Sequence, residues 1–178
     1  LRRETLFRAE TGSTVRVVFE RFTSLVDVHV LAQRITVTAI DGAPDILLEA
    51  WQEADTTNLG RVHWKNIQTA TDAEEMTWAG QTTQSGYRVA LASRLSSPTT
   101  VIAVNVPTPI LSSSVQLDKD GQAVFEKITA IYTNRDLDDP LSAARQKASE
   151  AAQAGYDALL SAHIDGWAAY WRDSDIQI

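Results

Sequence analysis

KITAIYTNRDLDDPLSAARQKASEAAQAGYDALLSAHIDGWAAYWRDSDIQI (127–178) changes character within its first dozen residues. Residues 128–133 carry a β pattern, in which successive side chains point to opposite faces. The charged turn Asn134-Arg135-Asp136 follows, and then two helical blocks. Asp139 can cap a helix whose first position is Pro140, where a missing N–H costs nothing. Leu141, Ala144, Ala148 and Ala151 recur at helical spacing, and Gly155 suits the position just past the helix end. Asp157 is expected to cap a second helix with Leu160, Ile164, Trp167 and Trp171 along one side. Such a pair needs a partner surface, and its alanine stripe buries little area per residue. Asp175-Ile176-Gln177-Ile178 starts a new alternation and stops, so the chain reads as a piece cut at a domain boundary.

Upstream of 133 the pattern is strand after strand. Val15, Val17 and Phe19 share one face of 14–22, with Arg16 and Glu20 on the other, as in a half-buried strand. Further strands are expected at 26–30, 35–39, 46–51, 61–69, 75–78, 87–95, 101–106, 115–117 and 122–132. Asp41-Gly42 punctuates the chain, and 53–59 reads as a polar loop. Pro107 and Pro109, which cannot donate to a ladder, mark an edge or exit. Asp118-Lys119-Asp120-Gly121 predicts a hairpin between its flanking strands, because Asp-Gly tolerates positive φ. This series of short strands separated by turns predicts a mainly β chain, a large antiparallel β-sandwich over 1–135, followed by a helical segment over 136–178.

At 178 residues the chain suits one domain with a sizeable core. It is 44% hydrophobic and 22% charged, as folded proteins are. A net charge of −7 argues against nucleic-acid partners, which need clustered Lys and Arg. No apolar run approaches the roughly 18 residues of a membrane helix. Cysteine is absent, which excludes disulfides and thiolate metal sites and agrees with a cytoplasmic setting. No signal peptide follows Leu1-Arg2-Arg3.

Several residues invite chemistry. Glu74-Glu75 is an adjacent carboxylate pair, but consecutive strand residues face opposite ways, and a solvated loop is the expected setting. Asp118, Asp120 and Gly121 open like a calcium loop, yet Gln122 occupies the third acidic position and Thr129 the twelfth, where a Glu belongs, so a turn is expected. Asp136, Asp138 and Asp139 are placed for capping and the helix dipole. His29, His63 and His163 lack zinc-ligand spacing. Trp51, Trp64 and Trp78 offer rings on which sugars stack, with His63-Trp64-Lys65-Asn66 adding polar donors, although core or domain-interface packing is the better reading. Trp167 and Trp171, four apart, are expected to pack against the sandwich or a further domain.

The layout resembles the N-terminal domain and linker of glycoside hydrolase family 65, which holds maltose, trehalose and kojibiose phosphorylases and some hydrolases. The matching residues are Arg21-Phe22-Thr23-Ser24 with Asp27 and His29, His63-Trp64, and Ile131-Tyr132-Thr133-Asn134-Arg135-Asp136. They continue through Ala162-His163, Trp167, Trp171 and Ser174-Asp175-Ile176. The resemblance implies a supersandwich of the galactose-mutarotase type, a helical linker and then an (α/α)6 barrel carrying the chemistry. It further implies an α-glucoside substrate attacked by inorganic phosphate with inversion, releasing β-glucose 1-phosphate. The acid and the phosphate-binding residues belong to the barrel. No residue of this chain is therefore assigned a catalytic, cofactor-binding or metal-ligating role, and the chain alone is expected to be inert. Its expected work is to brace the barrel, shape the active-site rim and form a homodimer interface. A carbohydrate-binding module and a purely structural domain are the alternatives.

Overall fold

The computed structural model describes residues 1–10, 12–53, 57–105, 109–172 and 174. Its strands are β1 (Arg2–Arg8), β2 (Thr14–Thr23), β3 (Val30–Asp41), β4 (Asp45–Trp51), β5 (Thr57–Asn58) and β6 (Arg61–Val62). They continue with β7 (Trp64–Asp72), β8 (Glu75–Thr82), β9 (Arg88–Ser96), β10 (Ile102–Asn105), β11 (Pro109–Gln116) and β12 (Gln122–Thr133). Two helices follow, α1 (Pro140–Ala154) and α2 (Tyr156–Arg172). Seven strands form one antiparallel sheet in the order β1-β2-β3-β12-β9-β8-β7. A three-stranded sheet, β10-β11-β4, lies against one of its faces, and β5 and β6 make a separate ribbon.

Strand alternation divides the large sheet between two cores. Val17, Val37, Ala39, Ala123 and Phe125 point toward the small sheet and close on Ile46, Leu48 and Val115. Met76 and Leu95 meet Leu111 in a second cluster on that side. The opposite residues, Ala90, Ala92 and Ala130, receive Ala144 and Ala148 of α1. Alanine on both sides permits close approach of helix and sheet, although each residue removes little apolar area from water. Val30, Ala32 and Ile128 on that face pack beneath Ala151 and Tyr156.

The helix signals translate directly. The Asp139 carboxylate accepts from the Ser142 N–H at 3.2 Å, Pro140 opens α1, and Gly155 closes it at φ 82°. Asp157, however, does not cap α2. It lies inside the first turn, and its carboxylate turns away to Arg34. Pro109 is the first residue of β11, a position where a missing N–H is tolerated. Val106, Pro107 and 175–178 lie outside the described residues, as do the corresponding ends of the expected strand and alternation.

Other expectations need correction. Of the stretch 26–30, residues 26–29 are bend and turn, with Val26 65% and Val28 79% exposed, and only Val30 is strand, as the start of β3. Ser24 Oγ accepts from the Asp27 N–H at 2.9 Å, and the Asp27 carbonyl accepts from the Val30 N–H at 3.0 Å. These local bonds compete with the ladder, so apparent alternation does not become a strand. The Asp118–Gly121 turn does not make a hairpin either, because β11 and β12 belong to different sheets. Its Asp120 N–H donates to Ala39 and its Gly121 carbonyl accepts from Ala39, which leads the chain from the small sheet onto β3. Leu117 and Phe125 can then both enter the core between the sheets.

Candidate functional site

The carboxylates that invited acid–base chemistry are engaged in holding the fold. Glu75 is not a solvated loop residue. It opens β8, is 8% exposed, and accepts from Arg145 Nε of α1 at 2.7 Å. A residue so buried needs a partner, and the neighbouring helix supplies it. Glu74 instead lies 3.8 Å from Arg94 with its side chain exposed. Asp136 accepts from the Thr133 N–H and hydroxyl, each at 2.8 Å, bonds that hold its carboxyl below the ordinary range. The Asp139 carboxyl is lowered by its bonds to Ser142. No cluster of three or more potential metal-ligating side chains occurs among the described residues.

The histidines and tryptophans are likewise dispersed. His29 stacks on Tyr132 at 3.9 Å, and its Nδ1 lies 2.8 Å from the Ile131 carbonyl. The His63 carbonyl accepts from the Thr83 N–H. Trp78 is core, 5% exposed, with Trp64 edge-on at 4.8 Å. Trp51 ends β4 half exposed. Trp64 and Trp78 thus meet, but with Trp78 buried they do not offer a paired exposed platform.

What the sequence does bring together is a helix anchored at one end and aromatic at the other. Arg34 of β3 and Glu126 of β12 sit opposite one another in the ladder, on the helix side of the sheet. Arg34 donates to Glu126 Oε1 through Nε at 2.9 Å and Nη2 at 2.6 Å, and through Nη1 to Asp157 at 2.7 Å. The guanidinium also lies 4.2 Å over the Tyr156 ring. Glu126 Oε2 accepts from the Tyr156 N–H, one of the donors that a helix start leaves without an internal partner. Arg34 thus holds the Asp157 carboxyl below its usual range, and Asp157 and Glu126 keep the guanidinium charged.

About two turns further, His163 accepts the Leu25 N–H at its Nδ1, 3.2 Å away, and lies 4.8 Å from the Phe22 ring. Gly166 permits the close pass: a Cβ there would come within 3.2 Å of Val26 and 3.3 Å of Leu25. Phe22, Ser24, Asp27 and His163, all singled out above, are therefore parts of one joint, whereas Arg21 lies on the alternate face of β2. Lys147 of α1 completes it with a 2.9 Å ion pair to Asp27, which raises the ammonium's pKa. Sequence spacing could not place Arg34, Glu126 and Asp157 together, because they lie far apart along the chain.

Beyond the joint α2 leaves the sheet. Ile164, Tyr170 and Trp171 are each more than half exposed, and Trp167 is 37% exposed. Trp167 stacks on Trp171 at 6.1 Å, with Tyr170 edge-on to both. Trp167 and Trp171 therefore keep a large part of their surface uncovered by the sandwich. Four adjoining large side chains form the kind of apolar patch that marks an interaction site. No described helix is long and apolar enough to cross a membrane.

Comparison with known proteins agrees with this architecture. A kojibiose phosphorylase of Escherichia coli (strain K12) is 26% identical over 186 residues, covering 100% of this chain and 25% of that protein. A second, from Halothermothrix orenii, is 22% identical over 194 residues, covering 99% of the chain and 25% of that protein. The chain thus spans about a quarter of the length of these relatives. A solved structure described as a kojibiose phosphorylase from the human microbiome superposes with a TM-score of 0.82 at 14% identity, covering 96% of this chain and 23% of the other. The model of the glycosyl hydrolase family 65 N-terminal domain matches residues 1–170, and the chain belongs to that family.

Proposed function

We propose that the chain is the non-catalytic N-terminal domain of a larger family 65 glycoside phosphorylase or hydrolase. It braces the catalytic domain, expected to be an (α/α)6 barrel, and shapes the rim of the active site. The aromatic half of α2 carries this reading: Trp167, Tyr170 and Trp171 form an exposed face on a helix whose other half is anchored. The chain's relatives are about four times longer and named as phosphorylases, so further chain is available to cover that face. In this reading the parent acts on an α-glucoside with inorganic phosphate as co-substrate, and works as a homodimer. Residues 1–178 supply none of the reacting groups.

Phosphorolysis assays with kojibiose, maltose and trehalose test the proposal. The isolated chain should show no turnover, and the parent carrying Trp167→Glu and Trp171→Glu should lose activity and thermal stability together. Turnover by the isolated chain, or a doubly substituted parent indistinguishable from wild type, would sink it.

A further inference from the structure

The small sheet covers only part of the large one. At about 4.8 Å per strand, seven strands span about 29 Å and three span about 10 Å. The uncovered part lies beside β4, one of the two edge strands of the small sheet. Hydrogen-bonded and non-bonded pairs alternate along an antiparallel ladder. The Leu117 N–H donates to the Pro44 carbonyl, so the same alternation makes Ile46, Leu48 and Ala50 the residues bonded to β11. The backbone groups of Asp45, Leu47, Glu49 and Trp51 consequently point away from it. The Trp51 carbonyl confirms the direction, since it accepts from Lys127 Nζ on the large sheet at 3.3 Å.

Two adjoining clefts of about 220 and 280 Å³ run from this edge across the bare sheet, and Gln33 and Ile35 line both. Cross-strand register puts Arg21, Gln33 and Lys127 in one row and Arg3, Phe19 and Ile35 in the next, all on the face that elsewhere forms the core. Phe19 is 41% exposed there. Arg3, Arg21 and Lys127 have no carboxylate partner among the described residues, in a chain of net charge −7.

We infer that the β4 edge receives a further β-strand from the same polypeptide, outside residues 1–178, extending the small sheet over this groove. The strand bonds to the outward groups of Leu47 and Glu49. Its inward side chains alternate between apolar residues over Phe19 and Ile35 and acidic residues toward Arg21 and Lys127. Free ladder groups above apolar residues are the setting for strand addition, and the unpaired cations select an acidic segment. The inference rests on the reading of the chain as part of a longer protein.

Amide hydrogen exchange on the parent and on the 178-residue chain tests it. In the parent, Leu47 and Glu49 should exchange on the order of a hundredfold more slowly than in the isolated chain, independent of concentration. Equal exchange overturns the inference. Protection that disappears on dilution also overturns it, because a second copy then occupies the edge. The parent carrying Leu47→Pro gives a second readout that does not require the isolated chain to fold. An outward N–H that bonds nothing tolerates proline, whereas an added strand loses a ladder bond. The substituted parent should melt several degrees lower, and melting as wild type refutes the added strand. Protection of α2 in the same exchange data reports separately on the docking of its aromatic face.

Discussion

Arg34 and Glu126 form a pair that should be more harmful to break than to remove. Their side chains are 19% and 20% exposed, and two guanidinium N–H groups reach one carboxylate oxygen within 2.9 Å. Removing one partner of a buried pair costs roughly 3–5 kcal/mol, because the survivor stays desolvated and alone. One-fifth exposure lets water relieve part of that, so Arg34→Met should cost about 2.5 kcal/mol. Some of this loss is the cation–π contact with Tyr156, worth about 0.5–1 kcal/mol. Glu126→Leu should cost a similar amount, since the Tyr156 N–H loses its acceptor as well. The double substitution removes both desolvated charges and should cost only about 2 kcal/mol, a coupling of about 3 kcal/mol. For a chain of this size about 1 kcal/mol moves Tm by about 2–4 °C, so each single variant should melt about 5–10 °C lower. Urea unfolding of the four proteins closes the cycle. If the two single losses simply add in the double variant, Arg34 and Glu126 do not act as a pair and the reasoning fails.

Gly80→Ala should destabilise by about 1–3 kcal/mol, as overpacking does, because the new methyl meets the buried Trp78 ring at 2.7 Å; an unchanged melting curve would mean the indole moves freely. Gly166→Ala should instead stabilise by about 0.5 kcal/mol. The helix gains about 1 kcal/mol of propensity, and the side chains it crowds, Val26 and Leu25, are exposed enough to swing aside; a lower Tm would show that the joint is rigid there. Asp139→Ala should lower Tm at pH 7 while Asp139→Asn, also a good cap, should not. The folded carboxyl titrates below its ordinary 3.8, so its stabilisation is complete above that value and is lost as pH falls through the folded pKa. The gap between wild type and Asp139→Ala in melting scans should therefore close below pH 3.8; a gap that persists at lower pH would contradict this.

The parts of the fold that were legible in the sequence are those decided within a few residues. Asp139-Pro140 and Gly155 bound α1 because capping is local chemistry, and β2, β9 and β12 alternate because each has buried positions. β1 was not legible, since RRETLFR lies at an exposed edge where burial selects no pattern. Residues 26–29 misled in the opposite direction: Val26 and Val28 alternate in step with Val30 of β3, but Ser24 and Asp27 bend the backbone away from a ladder. Glu75 was misplaced because its partner Arg145 lies 70 residues away. The same applies to the joint at Arg34, which draws on β3, β12 and α2.

That joint bears on how an alanine-faced helix pair can act as a brace. Ala144 and Ala148 lie on Ala90, Ala92 and Ala130, a contact that brings the layers close but provides few large side chains to fix their angle. Orientation is set at the periphery instead, by Arg145 on Glu75, Lys147 on Asp27, and Arg34 on Glu126 and Asp157. Directional charged bonds fix register where smooth apolar packing does not. The three ties meet α1 and the start of α2, on the N-terminal side of the aromatic residues. The aromatic face is thus held in position by contacts it does not itself make. A face positioned in advance loses less freedom when it docks, so more of the area it buries is left to hold the neighbouring domain.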